Sequence, residues 1–411
     1  MTIPRRSLLS TLLFFALGVA ANPVVVNHSP IKLTLFKQHN FTSAHNLVTH
    51  DQARAEQLKN RAYKGNVAVP VNTQITNQAV TYTASVGVGN PPTTYSLLID
   101  TGSSNTWVGA TQGKPYRFST STRPTTNFVE VSYGSGSFQG FEVDDKLKIS
   151  PNVAIQSQSI GAAIASQGFN GVDGILGIGP VGLTAGTLFP ATTSTVPTVT
   201  DNLFNQGLIP ANQVGIYFAP TTQQSVQNGE LTYGGTDSSK YTGTISYTPV
   251  TTTSPASRYW GINQSIRYGP STAILSTTAG IVDTGTTLIL IASDAFSRYT
   301  SATGAVLDNT TGLLSITPAQ YAKLQSLYFT TNGVTYTFTA NAQLFPRSLN
   351  TLIGGTASNI YLIVANLGSP SGRGLDFING YAFLERFYSV FDTANKRVGF
   401  ATTAFTTATT N

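Results

Sequence analysis

An eight-residue run recurs 183 residues further along this chain: Leu97-Leu98-Ile99-Asp100-Thr101-Gly102-Ser103-Ser104 returns as Gly280-Ile281-Val282-Asp283-Thr284-Gly285-Thr286-Thr287. In each copy an apolar strand ends on Asp-Thr-Gly. Each also has a later apolar segment that closes on glycine, Gly174-Ile175-Leu176-Gly177 in the first half and Phe377-Ile378-Asn379-Gly380 in the second. A repeated supersecondary unit of this kind predicts two similar lobes related by an approximate twofold axis, with the two Asp-Thr-Gly loops meeting in the cleft between them. The 411 residues suit two lobes of about 100 to 200 residues each.

The texture between the repeats is that of a mainly β protein. Short alternating or apolar runs such as Thr81 to Val88 and Tyr95 to Ile99 are punctuated by Gly89-Asn90-Pro91-Pro92, Gly134 to Gly136 and Asn332-Gly333, which are strand and hairpin signals at close spacing. Helices are expected to be few and short, with Thr198 to Gln206 and Thr317 to Leu327 the best candidates in the body of the chain. The division that follows is residues 68–245 for a first lobe and 246–411 for a second.

The first 67 residues differ. Arg5 and Arg6 precede an apolar run from Leu8 to Ala21 that ends in small residues, the pattern of a secretory signal over 1–21. The run is shorter than the roughly 20 apolar residues needed to span a bilayer, so no membrane anchor is expected. Residues 22–67 read as a basic propeptide with one helix-like stretch, His45 to Lys64, in which Leu47, Val48, Ala55 and Leu58 fall on one face. Residues 1–67 carry eight Lys or Arg against Asp51 and Glu56, so the net charge of +6 comes entirely from this end. The remainder is neutral and has no basic cluster beyond Lys396-Arg397, which argues against nucleic acid as a partner. Of four Asn-X-Ser/Thr sequons, at Asn27, Asn40, Asn263 and Asn309, the last two would survive processing as N-glycan acceptors.

The absent residues narrow the chemistry. There is no cysteine, and the four histidines all lie within the first fifty positions. Once that segment is removed the chain has neither a thiol nor an imidazole, the usual nucleophile and base of cysteine and serine hydrolases. The paired carboxylates Asp100 and Asp283 remain. Two carboxyl groups in bonding range hold one proton between them and titrate as a unit. The ionised member can then take a proton from a water while the other donates to a scissile carbonyl. Gly102 and Gly285 let the backbone approach closely, and Ser103 and Thr286 are placed to bond the outer carboxylate oxygens. Neither a metal nor a cofactor is expected, and no heptad argues against a monomer.

These motifs, in this order, resemble the pepsin-like aspartic proteases over nearly the whole chain. The resemblance is carried by Asp100 to Val108, by the hairpin Val131-Ser132-Tyr133-Gly134-Ser135-Gly136-Ser137, by Asp173-Gly174-Ile175-Leu176-Gly177, by Gly234-Gly235-Thr236-Asp237-Ser238-Ser239, by Tyr259-Trp260, by Asp283 to Thr286 and by Phe387 to Asp392. It implies a bilobal β fold with an interlobe cleft, a β-hairpin flap that closes over an extended peptide, and inhibition by statine-type analogues. Thr101 and Thr284 would belong to the supporting loops. Tyr133 would be the flap tyrosine with its hydroxyl directed towards Trp107, Gly134 and Ser135 would offer backbone groups to substrate, and Ile175 would line the pocket for the residue before the cleaved bond.

Two departures carry weight. Ser135 stands where some relatives have an Asp that accepts a basic side chain, which predicts a preference for large apolar flanking residues. Asn379 replaces the apolar residue usual before the glycine and leaves the packing of that segment open. A propeptide cation laid across both carboxylates would silence them near neutral pH and be released in acid, with Lys59, Arg61 and Lys64 as candidates. Gly177-Ile178-Gly179-Pro180-Val181-Gly182 fits a dinucleotide fingerprint with Asp201 downstream, but Gly186, Pro190 and Pro197 exclude the long helix such a site needs. Glycoside hydrolysis and a binding-only variant of the fold are the remaining alternatives. Intact Asp-Thr-Gly loops and an intact hairpin argue against both.

Overall fold

The computed structural model describes residues 29–39, 45–64, 80–134 and 136–410. The proposed signal segment, the sequons at Asn27 and Asn40, and Ser135 lie outside them. In the first half the strands are β1 (Ile31–His39), β2 (Val80–Val88), β3 (Thr93–Asp100), β4 (Thr106–Val108), β5 (Arg123–Ser132), β6 (Ser137–Ser150), β7 (Val153–Gln167), β8 (Gly174–Gly177), β9 (Leu188–Phe189), β10 (Gln213–Tyr217) and β11 (Ser225–Tyr233), with helices α1 (His45–Lys64) and α2 (Val199–Asn205). The strand β12 (Thr242–Pro249) crosses position 245. The second half begins with β13 (Gly261–Tyr268), β14 (Thr272–Val282), β15 (Ile289–Ile291) and helix α3 (Ser293–Thr303). Then follow β16 (Val306–Leu307), β17 (Leu314–Ile316), helix α4 (Pro318–Tyr321), β18 (Leu327–Thr331), β19 (Val334–Phe338), β20 (Ile360–Leu362) and β21 (Val364–Asn366). The chain ends in β22 (Phe377–Asn379), helix α5 (Tyr381–Leu384), β23 (Phe387–Asp392) and β24 (Arg397–Thr402).

Among the described residues these strands form a 14-stranded sheet, a 7-stranded sheet and a small 3-stranded one. The chain's internal repeat is visible in the pairing. Strand β3 runs parallel to β8 with Asp100 opposite Gly177, and β14 runs parallel to β22 with Val282 opposite Asn379. In each half an antiparallel strand, β4 or β15, then borders the crossover strand. The return strands β23 and β24 join β10 and β12 of the large sheet, so the two halves share hydrogen-bonded backbone as well as a cleft.

The cores are aromatic and aliphatic. Phe383 is fully buried with its ring centroid 5.1 Å from Phe329, 4.8 Å from Phe387 and 5.6 Å from Phe400. In the first half Trp107 stacks on Phe138 at 4.2 Å and meets Phe169 edge-on at 4.8 Å, the offset and edge geometries that aromatic quadrupoles favour. Packing therefore holds a chain that has no disulfide to call on.

The expected helix His45–Lys64 forms over those residues, and α2 forms with Thr198 as its N-cap, closed by a reciprocal bond with Asp201. The second candidate does not extend as expected: only Pro318–Tyr321 is helical, because Leu327 is drawn into β18 against Tyr268 of β13. The 11-residue α3 is not anticipated by the sequence reading. It is rich in Ser and Thr, weak helix formers, and is secured by burial of Ala295 and Tyr299 and by Gly304, whose φ of 68° supplies the left-handed C-terminal cap. Strand β1 is also new; it pairs with β2 on one side and β11 on the other, so Ile31–His39 is woven into the large sheet. Gly177 to Gly182 leads into a short 3-10 turn, Val181–Thr184, with no long helix to receive a pyrophosphate. Among the described residues no helix is long and apolar enough to cross a membrane.

Replacing Phe383 by Ala should lower stability by about 3–5 kcal/mol, the usual cost of deleting a buried phenyl ring. A thermal midpoint indistinguishable from the parent would show that this four-ring cluster is not a core element.

Candidate active site

Asp100 ends β3, Asp283 directly follows β14, and both are fully buried. The residues that follow them lock the two halves together: the Thr101 N–H donates to Thr284 Oγ1 at 3.0 Å and the Thr284 N–H donates to Thr101 Oγ1 at 2.9 Å. Each hydroxyl then donates across the axis, Thr101 to the Val282 carbonyl at 3.2 Å and Thr284 to the Ile99 carbonyl at 2.9 Å. Ser103 Oγ donates to Asp100 Oδ2 at 2.5 Å and Thr286 Oγ1 to Asp283 Oδ2 at 2.6 Å, while the N–H groups of Gly102 and Gly285 reach the Oδ1 atoms at 2.9 and 3.1 Å.

The glycines are required by space. Neither has a positive φ. A β-carbon at Gly102 would stand 2.6 Å from Asp283 Oδ1, and one at Gly285 would stand 2.6 Å from Asp100 Oδ1. Each loop is thus bare where the opposite carboxylate comes to rest.

Arg54 lies across the pair. Its Nε donates to Asp283 Oδ2 at 2.6 Å, and one terminal nitrogen donates to Asp100 Oδ1 at 2.5 Å and to Asp283 Oδ1 at 2.9 Å. This corrects the expected choice among Lys59, Arg61 and Lys64. Lys59 bonds the Ser369 hydroxyl and Arg61 the Leu183 carbonyl, and the Lys64 side chain is outside the described set. The planar guanidinium can serve two carboxylates at once, which an ammonium point charge cannot do with the same geometry. Burial raises the Asp100 carboxyl above its ordinary value, with Asp283 reinforcing the rise against the pull of Arg54. Burial acts the same way on Asp283, but there the charge and bonds of Arg54, together with Thr286, outweigh it and hold the carboxyl low.

The buried face of α1 explains how the guanidinium arrives. Leu47, Asp51, Arg54, Leu58 and Arg61 recur every three or four residues and are all buried. Asp51 accepts the N–H groups of Thr287 and Leu288 at 3.0 and 2.8 Å and is flanked by His50 Nδ1 at 3.1 Å. The Tyr259 hydroxyl donates to the Leu58 carbonyl at 2.8 Å. The stripe mixes charge with apolar residues, so hydrophobic spacing alone misses its polar members; the i, i+3 placement of Asp51 and Arg54 is the signal that could have found them.

The hairpin between β5 and β6 closes over this helix. The Tyr133 N–H donates to the Gly136 carbonyl at 2.8 Å, and a β-carbon at Gly134 would run into the Ala53 carbonyl. Tyr133, Trp107 and Ile175 are buried in one cluster with Val131, Phe138 and Phe169. The Tyr133 hydroxyl lies in the field of the Trp107 indole N–H, yet neither atom completes a hydrogen bond of ordinary geometry. The expected contact is therefore approached and not made while α1 is in place. Among the described residues no group of three or more His, Asp or Glu is arranged to hold a metal ion.

A family profile described as eukaryotic aspartyl protease matches residues 81–403. The chain belongs to that family. The protease is 65% identical over 336 residues to polyporopepsin from Irpex lacteus, covering 82% of this chain and 98% of the relative. It is 30% identical over 341 residues to human gastricsin, covering 79% of this chain and 81% of the relative. A crystal structure of the aspartic proteinase from Irpex lacteus superposes with a TM-score of 0.79 at 65% identity, over 80% of this chain and 96% of that one. The protease is accordingly an aspartic endopeptidase of the pepsin-like, mainly β fold.

Replacing Thr284 by Val removes the acceptor of the Thr101 N–H and the donor to Ile99, and should cost about 1–3 kcal/mol while lowering kcat. A valine variant with unchanged thermal midpoint and turnover would show that the interlobe bonds do not govern the site.

Proposed function

We propose that the chain is the zymogen of a secreted acid endopeptidase that cleaves peptide bonds with water activated between Asp100 and Asp283. The observation that carries this reading is the guanidinium of Arg54 bonded to both carboxylates in a buried site. When α1 departs, its place falls to a water and the scissile carbonyl. The carboxylates, left as a like-charged pair, share one proton. One takes a proton from the water as the other donates to the carbonyl oxygen, and no covalent intermediate is required. Thr101, Gly102 and Ser103 in one loop, and Thr284, Gly285 and Thr286 in the other, keep the carboxylates oriented.

In this reading residues 1–21 are a signal peptide, 22–67 the propeptide, and 68–245 and 246–411 the two catalytic lobes. Tyr133, Gly134 and Ser135 form the flap tip, and Trp107 and Ile175 back the pocket for the residue before the cleaved bond. The buried apolar cluster around them supports a preference for large hydrophobic flanking residues. Asn309, exposed in the β16–β17 turn, and Asn263, exposed on β13, would be the glycan acceptors. The enzyme would act as a monomer without a cofactor, and statine-type analogues would occupy the cleft.

Acid release follows from the charges. Asp283 is held below its ordinary value, so its contribution to the clamp is present above the usual carboxyl range and is lost as pH falls through the lowered value. Asp237, bonded by Lys32 of β1 and by Ser239, is also held low and acts in the same sense. Asp100 is raised and acts oppositely: its ionisation at higher pH opposes the closed state, offset there by the fully charged Arg54. The propeptide should therefore stay docked near neutrality and loosen below about pH 4.

Hydrolysis of a denatured protein by the acid-treated chain should be confined to acid pH and abolished by Asp100→Asn, by Asp283→Asn and by a statine-type analogue. Activity that survives Asp283→Asn would mean the site is misassigned. The variant Arg54→Leu should process itself and cleave substrate at a pH where the parent remains silent, with Arg61→Leu as the comparison. An Arg54→Leu proform as silent as the parent at every pH above 4 would remove Arg54 from the clamp. A peptide series cut best after Lys would refute the apolar preference.

A further inference from the structure

The strand that backs the second catalytic loop carries a polar side chain where its twofold counterpart carries an apolar one. The Asp283 N–H donates to the Asn379 carbonyl of β22 at 3.1 Å. The next residues continue the hold, with the N–H groups of Tyr381 and Ala382 donating to the carbonyls of Thr286 and Thr287 at 2.9 and 3.2 Å. In the first half Leu176 of β8 occupies the position that Asn379 occupies in the second. Val86, opposite Tyr95, corresponds likewise to Gln264, opposite Thr278, because Tyr95 and Thr278 stand at the same distance before Asp100 and Asp283. Val86 and Leu176 are a buried apolar pair; Gln264 and Asn379 are buried to the same degree and carry amides.

The two amides bond each other reciprocally. Asn379 Nδ2 donates to Gln264 Oε1 at 2.9 Å, and Gln264 Nε2 donates to Asn379 Oδ1 at 3.3 Å. An apolar contact is non-directional and tolerates sliding. A reciprocal amide pair in a dry site has one satisfied geometry, and sliding forfeits both bonds. The second loop has particular need of such a tie, because Asp51 of α1 holds its Thr287 and Leu288 N–H groups only while the propeptide is docked.

The geometry points to Gln264 and Asn379 as a positioning pair for Asp283: their mutual amide bonds lock β22 to β13 across β14, and so fix the backbone against which the second catalytic carboxylate is set. This rests on the reading of Asp100 and Asp283 as the catalytic pair. Neither amide touches substrate in this role.

The test is steady-state kinetics and thermal midpoints on the acid-treated full chain. The double variant Gln264→Val/Asn379→Leu copies the apolar pair of the first half; it should keep a midpoint near the parent's yet lose kcat by roughly tenfold at unchanged KM, the sensitivity expected of a slightly misplaced catalytic group. Either single substitution strands a buried amide and should lower both midpoint and kcat. Asn379→Asp supplies an independent reading should the double fail to fold. Its neutral acid donates to Gln264 Oε1 and accepts from Nε2, so kcat should persist in strong acid, and the high-pH limb of the kcat profile should shift downwards as that carboxyl ionises. A double variant that recovers both midpoint and kcat, or an Asn379→Asp profile identical to the parent's, overturns the proposal. Asp283→Asn in the same assay keeps the two readings apart: retained activity there defeats the catalytic assignment itself, whereas its loss beside a fully active double variant defeats only the positioning role.

Discussion

Two carboxyl groups set face to face in a dry cleft repel one another, and the architecture answers that repulsion from several sides. The reciprocal bonds of Thr101 and Thr284 tie the two loops across the twofold axis, so the carboxylates cannot relieve the strain by drifting apart. Hydroxyls and backbone N–H groups supply both oxygens of each carboxylate with donors, which replaces hydration lost on burial. What stays unbalanced is the charge between the two inner oxygens, and the single guanidinium of Arg54 neutralises it. Asp283, bonded by two of its nitrogens, is held low, while Asp100 is raised. The two carboxylates thus have unlike proton affinities although their loops are nearly the same sequence.

In the proposed zymogen, β1 and α1 would act as a temporary part of the fold. Strand β1 fills a place in the large sheet between β2 and β11. Its Lys37 reaches a fully buried position, where it pairs with Glu385 and lies over the rings of Tyr82 and Tyr381. Helix α1 then fills the cleft beneath the β5–β6 hairpin. Beside the buried Ile31, Leu33, Leu35, Leu47 and Leu58, these charged contacts would give the docking of β1 and α1 a dependence on pH that burial of oily surface alone does not have.

Much of this was legible in the chain. The doubled Asp-Thr-Gly located both carboxylates, and the hydroxyl residues three positions on located their supports, because a short loop leaves few places for a side chain to bond back. The helix His45–Lys64 was readable from its spacing. Strand β1 and helix α3 were not, since each is stabilised by partners remote in sequence, β11 in one case and the core under Ala295 and Tyr299 in the other. The glycines were assigned to the right loops for an incomplete reason: their bareness serves the opposite carboxylate, which no single loop reveals.

The sequence by itself narrowed the chemistry: a chain without cysteine, with its histidines confined to the first fifty positions, and with one acid loop in each half points to a carboxylate pair, because side-chain identity sets what protons can do. Which cation covers that pair was decided only in three dimensions. Lys59, Arg61 and Arg54 are all cationic and lie within two turns of one helix, and the choice falls to the rotation of that helix in the cleft. That rotation is set by Asp51 on the second loop and by the hairpin pressing on Ala53. Long-range packing has no representation in local composition or spacing, which is why the tertiary structure alone could make that assignment.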